Sequence, residues 1–143
     1  MFATLMLELV MFVPAMAYAE TPRDSYQVAQ DKYQTYTNRV EDAKKTYQDS
    51  RESFLDAKDR FNDVRSRENI VTLKQSTKDY LNHTIDYTMR RLESLKIRAE
   101  IAEENGYAPF TASENVQGYI DDLEDLRDDV AAAETREDFQ AVI

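Results

Sequence analysis

Three aspartates in the C-terminal part of the chain have the residue type and the spacing of metal ligands. Asp121, Asp125 and Asp128 follow one another at steps of four and three, which places them on one face of a helix. Carboxylates held so close repel each other, and a hard cation such as Ca²⁺ would relieve that repulsion. An EF-hand, however, needs a loop with alternating ligands and a glycine, and this segment has neither. The pattern therefore favours a solvated acidic face, or the complement of a basic surface, and we expect no metal or other cofactor.

The only histidine, His83, lies beside the apolar residues Leu81 and Ile85 and has no cysteine or serine partner nearby in the sequence. A histidine in such a setting is most often a surface or rim residue. Asn82-His83-Thr84 also fits the N-glycosylation sequon, so Asn82 is a glycosylation candidate if the chain is exported. A position inside a helix disfavours that modification.

Catalysis has little support in the sequence. It contains no glycine-rich phosphate loop, no nucleophile elbow and no His/Cys set with the spacing of metal ligands. Pairs of carboxylates occur, but 32% of the residues are charged, so composition alone accounts for them. General acid–base chemistry needs a shielded cleft that moves pKa values apart, and slender helices offer little volume for one. We predict that the protein is not an enzyme and, from its net charge of −10, that it does not bind nucleic acid.

The elements that carry these residues are predicted to be long helices, because the chain has only two glycines and three prolines. Large apolar residues recur every seven positions at Tyr26, Tyr33, Val40, Tyr47, Phe54 and Phe61, which we assign to heptad position a. Position d is mostly small: Ala29, Tyr36, Ala43, Ser50, Ala57 and Val64. We expect a narrow seam with a wet rim, because tyrosine hydroxyls need a polar partner. The aromatic seam is defined as Tyr26, Tyr33, Tyr36, Val40, Tyr47, Phe54 and Phe61.

Basic residues border the aromatic seam, while the C-terminal part of the chain is acidic. The basic border comprises Lys44, Arg51, Lys58 and Arg65 at position e and Lys32, Arg39 and Arg60 at position g. Residues 103–143 carry twelve acids against only Arg127 and Arg136, whereas residues 1–102 have equal numbers of acids and bases. We predict that the acidic tail docks on this border within one chain. A separate acidic partner protein is the alternative.

A change of heptad phase predicts a turn after the first helix. Continued past Val64, position a would hold Glu68, Gln75 and Asn82, whereas a new apolar stripe begins. Its members are Leu81, Ile85, Thr88, Leu92, Leu95, Ala99 and Ala102. Asn69 is the expected N-cap of this second helix. The phase change favours an antiparallel hairpin over the alternative of one continuous rod.

Local signals delimit the remaining helices. Asn105-Gly106, with Pro109 beyond, predicts the end of the second helix. Thr111 to Glu114 forms a capping box for a third helix, whose apolar face holds Val116, Ile120, Leu123 and Val130. Thr135 and Asp138 predict the start of a short last helix. We therefore predict one all-α domain over 24–143: a long, coiled-coil-like antiparallel hairpin of helices at about 24–66 and 70–104, a shorter helix near 112–133 packed on it, and a short helix at 136–143.

The first nineteen residues look like a secretory signal peptide. They are apolar and end in Ala17-Tyr18-Ala19 before a charged segment, which predicts cleavage after Ala19. No Lys or Arg precedes the apolar run, and Glu8 interrupts it. An uncleaved N-terminal membrane anchor is the alternative.

The stretch "TKDYLNHTIDYTMRRLESLK" and, after a loop, "IDDLEDLRDDVAAAETREDFQAV" resemble paired segments in uncharacterised exported helical proteins, chiefly of archaea. The resemblance covers roughly residues 77–142. It implies an extracytoplasmic helical bundle, often with a membrane anchor beyond the bundle, and it implies no activity. We expect any membrane attachment to be through the N-terminal segment or a C-terminal anchor that this sequence lacks.

These observations predict a secreted or cell-surface, non-enzymatic structural or protein-interaction module that binds a protein partner or itself. One alternative is an exported helical chaperone that holds client segments against the aromatic seam. A weaker alternative is a cation-responsive surface protein that uses Asp121, Asp125 and Asp128. Whether the chain itself covers the aromatic seam distinguishes the first two.

Overall fold

The computed structural model describes residues 22–107, 109 and 111–142, and the helices of this part form an all-α fold. The helices are α1 (Pro22–Asp63), α2 (Arg67–Glu104), α3 (Ala112–Ala132) and α4 (Arg136–Val142). The antiparallel hairpin of α1 and α2, with α3 packed on it, is confirmed. The predicted signal peptide and its cleavage site lie outside the described residues.

The turn between α1 and α2 differs in detail from the prediction. α1 ends at Asp63, and the N-cap of α2 is Ser66, whose hydroxyl accepts the Asn69 N–H at 3.1 Å. The predicted N-cap, Asn69, instead donates its side-chain amide to the carbonyls of Arg60 and Val64 at 3.1 and 2.7 Å. An amide has two donors, and the last carbonyls of a helix lack intrahelical partners. Asn69 therefore closes the end of α1, and the continuous rod is excluded.

The predicted end of α2 at Asn105-Gly106 is confirmed. Gly106 has a φ of 72°, in the left-handed region that glycine adopts without a steric penalty. Its N–H donates to the Glu103 carbonyl at 3.0 Å, and the Tyr107 N–H donates to the Ala102 carbonyl at 2.7 Å. This is the Schellman pattern of hydrogen bonds, which satisfies the last carbonyls of the helix.

The predicted capping box of α3 is wrong. Thr111 is the N-cap residue, but its side chain makes no capping hydrogen bond. The carboxylate of Glu103, at the end of α2, accepts the backbone N–H of Ser113 at 2.7 Å and its hydroxyl at 2.8 Å. A negative charge is favourable at a helix N-terminus, so a residue of the preceding helix takes the part that Thr111 and Glu114 were expected to play.

The start of α4 follows the prediction. Asp138 accepts the backbone N–H groups of Glu134 and Thr135 at 2.9 and 2.7 Å, and its own N–H donates to the Thr135 hydroxyl at 3.2 Å. Thr135 and Asp138 therefore satisfy each other's backbone donors.

α2 is the central helix, because it packs against both α1 and α3, while α1 and α3 have no helix–helix contact in the described part of the chain. The main buried cluster lies between α2 and α3 and comprises Ile85, Met89, Ile120 and Val130, flanked by Leu81, Leu92, Val116, Leu123 and Leu126. The predicted apolar face of α3 is thus confirmed.

The predicted docking of α3 on the basic border of α1 is wrong. Sequence reasoning assigned α2 a single apolar stripe, but this helix has apolar residues on two faces, and its α3-facing side also carries basic residues. Lys78 donates to the Ala131 carbonyl at 2.7 Å, and Lys96 donates to Gln117 at 2.8 Å. α2 therefore offers α3 both apolar area and hydrogen bonds to the end of the acidic helix.

Candidate interaction surface

Tyrosines of α2 cover the middle of the aromatic seam. The ring of Tyr47 lies 5.7 Å from Tyr80 and 5.5 Å from Tyr87, measured between ring centroids. Phe54 stacks on Tyr80 at 5.3 Å with an interplanar angle of 11°. Aromatic pairs at these distances are favourable beyond the area that they bury. The chain itself therefore closes this part of the seam.

The small residues of the seam are buried more completely than the rings. Ser50 and Ala57 are only 7% and 3% exposed, whereas the rings of Tyr47 and Phe54 are half-buried and Tyr33 is 42% exposed. Small residues at d let the two backbones approach, and the large rings then reach the rim on either side. The described side chains fit the expected narrow seam; that of Tyr26 lies outside them.

The hydroxyl of Tyr80 is the titratable group most affected by the seam. A hydrogen bond with the Tyr47 side chain, followed by burial, raises the pKa of Tyr80 above its ordinary value of 10.0. The Arg51 charge acts in the opposite direction, with a smaller effect. Tyr80 therefore remains neutral in the physiological range and serves as a hydrogen-bonding part of the packing.

Sequence reasoning missed Tyr80 and Tyr87 as partners of the seam. They are seven residues apart, as are the large residues of α1, and this shared spacing was the available signal. The predicted stripe of α2 has a different orientation: Leu81, Ile85 and Leu92 belong to the cluster against α3.

In the part of the chain that the structure describes, the basic border makes no ion pair with the acidic tail. The guanidinium of Arg39 lies 5.2 Å from the Tyr36 ring, and that of Arg65 lies 5.9 Å from the Phe61 ring. Such cation–π contacts attract the arginines to these half-buried rings. Lys32 reaches Glu100 of α2 at 3.6 Å.

The seam is open near the end of the hairpin that is away from the turn. Two neighbouring grooves, of about 420 and 440 Å³, lie between α1 and α2 and share Tyr33 and Arg98. Arg91 and Leu95 line the first, and Tyr107 lines the second. Leu95 is 47% exposed and Tyr107 87% exposed. We name these two cavities together the open-end groove.

The acidic tail is tied to α2 by a few cross-helix contacts. Arg127 of α3 forms an ion pair with Asp86 of α2. Glu134 forms ion pairs with Lys74 and Lys78 of α2. These pairs lie at the C-terminal end of α3, and the Lys74 contact lowers the pKa of Glu134.

The candidate cation ligands lie on the exposed face of α3. Asp121, Asp125 and Asp128 are all exposed, and Asp121 accepts a hydrogen bond from Gln117. Within the described ranges, no three acidic, histidine or cysteine side chains lie close enough together to hold a metal ion. The three carboxylates therefore share a face without converging on a common point.

His83 and Asn82 lie in the middle of α2, and both are half-buried. The His83 Nδ1 atom is buried and has no hydrogen-bond partner among the described residues. No constellation for chemistry forms around it in this part of the chain, and Asn82 would have to be glycosylated before the helix forms.

No protein-family model matches the sequence, and no curated protein and no solved structure matches it either. Among the helices that the structure describes, none combines the length and the apolar character needed to span a membrane.

Proposed function

We propose that this chain is a non-enzymatic, extracytoplasmic structural or protein-interaction module. The observation that carries the proposal is the closure of the aromatic seam by Tyr80 and Tyr87 of the same chain. A seam closed over its middle serves to hold two long helices together. What remains for a partner is the surface: the open-end groove and the acidic face of α3.

The perturbed titratable groups support a structural role. The pKa values of Glu103 and Asp138 are lowered first by hydrogen bonds from the backbone N–H groups that these carboxylates cap. The raised pKa of Tyr80 comes first from its hydrogen bond to Tyr47. These groups lie at three separate places in the fold, and each shift is explained by a contact that stabilises a helix or the seam.

The chaperone alternative has one observation in its favour, the open-end groove with its exposed Tyr33, Leu95 and Tyr107. A hydrophobic dye and a client protein distinguish the two functions. We expect weak dye fluorescence from the folded chain and no suppression of the aggregation of a thermally unfolding client. Strong dye binding together with suppressed aggregation would replace our proposal by the chaperone.

The same assays repeated with millimolar Ca²⁺ address the cation-responsive alternative. We expect no change in sedimentation or in helical circular dichroism, because Asp121, Asp125 and Asp128 do not converge. A calcium-dependent shift in size that Asp121→Asn/Asp125→Asn removes would favour the cation-responsive protein instead.

The extracytoplasmic location rests on the apolar N-terminal segment and on the resemblance of residues 77–142 to exported archaeal proteins. Intact-mass analysis of the protein from its native host tests it. We expect a mature chain that begins at Glu20. A soluble cytosolic species that retains residues 1–19 would contradict the proposed location.

A further inference from the structure

The open-end groove combines apolar walls with positive charge. Arg91 and Arg98 both line it, and of the described residues that line it none is acidic. Arg91 lies over the Tyr87 ring at 5.8 Å, and neither arginine takes part in an ion pair with another described residue. On a chain of net charge −10, such a groove fits an acidic helix that carries an aromatic side chain.

The outer face of α3 has this chemistry. Tyr119 is 62% exposed, and the exposed carboxylates of Asp122, Asp125 and Asp129 follow it on the same side of the helix. None of these three aspartates pairs with a base in the described part of the chain. α3 contacts α2 through its apolar side, which adjoins this face, and Asp129 lies beside Asp138 and Ala141 of α4.

The spacing of the charges on the two surfaces is the same. Arg91 and Arg98 are seven residues apart on α2, and Asp122 and Asp129 are seven apart on α3, about 10 Å along each helix axis. Gly118 adds room for close approach, since, apart from its chain neighbours and its own helix backbone, no atom of the described residues lies within 4 Å of the position its Cβ would occupy. A glycine inside an exposed helix lowers helix stability relative to alanine, and packing within the chain does not require it here.

We propose that the open-end groove binds the outer face of α3 from a second copy of this chain. The two arginines pair with Asp122 and Asp129, and Tyr119 packs beside Leu95 and the seam tyrosines. If each copy offers its α3 to the other's groove, the result is a closed dimer with two identical contacts. The distant acids of the two copies repel each other only weakly at physiological salt, where the screening length is about 8 Å. This inference rests on the proposed interaction module and names its partner.

Sedimentation of wild type and charge-reversed variants tests the proposal. We expect wild type to sediment as a dimer at micromolar concentration. Arg91→Glu/Arg98→Glu and Asp122→Arg/Asp129→Arg should each raise the dissociation constant at least about tenfold. The charge-matched control, Lys45→Glu/Arg67→Glu, changes exposed bases outside the groove, so the dissociation constant of this variant should equal that of wild type.

The decisive sample is an equimolar mixture of the two reversed variants. Each acidic groove then meets a basic α3, and each basic groove meets an acidic α3, so we expect the mixture to recover the dimer. Circular dichroism verifies that each variant is helical, and the milder Arg91→Gln/Arg98→Gln serves in place of any variant that does not fold.

Three results would overturn the proposal. The first is a wild type that remains monomeric up to about 100 µM, ten or more times the micromolar range in which we expect the dimer. The others are variants that associate as tightly as wild type and a mixture of the two reversed variants that stays monomeric. A monomeric wild type removes the second copy as the partner but leaves the interaction module intact. The module itself fails on a different readout, the dye and client assays.

Discussion

Tyr80 lies between two rings of α1, with centroid distances of 5.7 Å to Tyr47 and 5.3 Å to Phe54. The contact of its hydroxyl with the Tyr47 side chain, followed by burial, raises the pKa of Tyr80. A tyrosine-rich seam can close without a thick core because each half-buried ring packs on its neighbours while its hydroxyl stays near the rim.

Tyr80→Ala is therefore predicted to lower the free energy of unfolding by about 2–4 kcal/mol, because it removes the ring that contacts Tyr47 and Phe54 and leaves a cavity. Urea unfolding followed by circular dichroism measures the change. Tyr119→Ala, the same substitution at a site that is 62% exposed, is the control and should stay within about 0.5 kcal/mol of wild type in dilute solution. Equal losses for the two variants would contradict the assignment of Tyr80 to the seam.

Glu103 links the end of α2 to the start of α3. Hydrogen bonds from Ser113 hold its pKa below the ordinary value of 4.5. A carboxyl whose pKa is depressed on folding stabilises the protein above its unfolded pKa, and this contribution is lost as the pH falls through the folded value. At neutral pH, Glu103→Gln should therefore be less stable than wild type, and the difference should narrow as the pH falls below 4.5.

Thermal unfolding of wild type and Glu103→Gln over this pH range tests the coupling. The neighbouring variant Glu104→Gln is the control, because Glu104 is exposed and makes no side-chain hydrogen bond to a described residue. A difference between wild type and Glu103→Gln that stays constant down to acidic pH would show that the carboxylate does not cap α3.

At the scale of the elements, α2 determines the architecture because it has two contact faces. One carries Tyr80 and Tyr87 against α1, and the other carries Ile85 and Met89 against α3. The sequence predicted the hairpin, the end of α2 at Gly106 and the apolar face of α3, since each depends on local periodicity or capping. It placed α3 on the wrong helix, α1, because assigning one stripe to α2 concealed its second face.

Charge was a poor guide to the same question. The basic border and the acidic tail suggested a docking site on α1, but exposed ion pairs contribute only about 0–1 kcal/mol each. The free energy gained by burying apolar surface is larger than that of several such pairs, and α2 offers α3 an apolar face to bury. Two arginines of the border instead lie over the rings of Tyr36 and Phe61, where they make cation–π contacts.

The contact between α2 and α3 should accordingly depend on apolar residues more than on charge. Ile120→Ser/Leu123→Ser should lower the free energy of unfolding by at least about 3 kcal/mol, since Ile120 is buried in the shared cluster. Asp121→Asn/Asp125→Asn should change it by less than about 1 kcal/mol. Melting temperatures in the reverse order would contradict this division.

At the scale of the molecule, α2 is flanked by α1 on one side and by α3 on the other, so the hairpin keeps one acidic edge and one groove lined by arginines. Sequence reasoning located the acidic surface but paired it with the basic border of α1, and it missed the groove that Arg91 and Arg98 line. In the structure α3 packs on α2 instead. The groove and the acidic face of α3 both stay accessible, which supports the proposed interaction role.

α2 folds back along α1 and closes its seam, and one distance between the two helices measures this most directly. The chain has no cysteine, so Val40→Cys/Leu95→Cys can be spin-labelled at these two sites alone. Both positions line the same groove, so the labels should be on the order of 10–20 Å apart, as for packed helices. Dilution with unlabelled protein should leave that distance unchanged, which identifies it as intramolecular. A separation near 80 Å, as expected for 55 residues of continuous helix, or a short distance that disappears on dilution, would contradict the account.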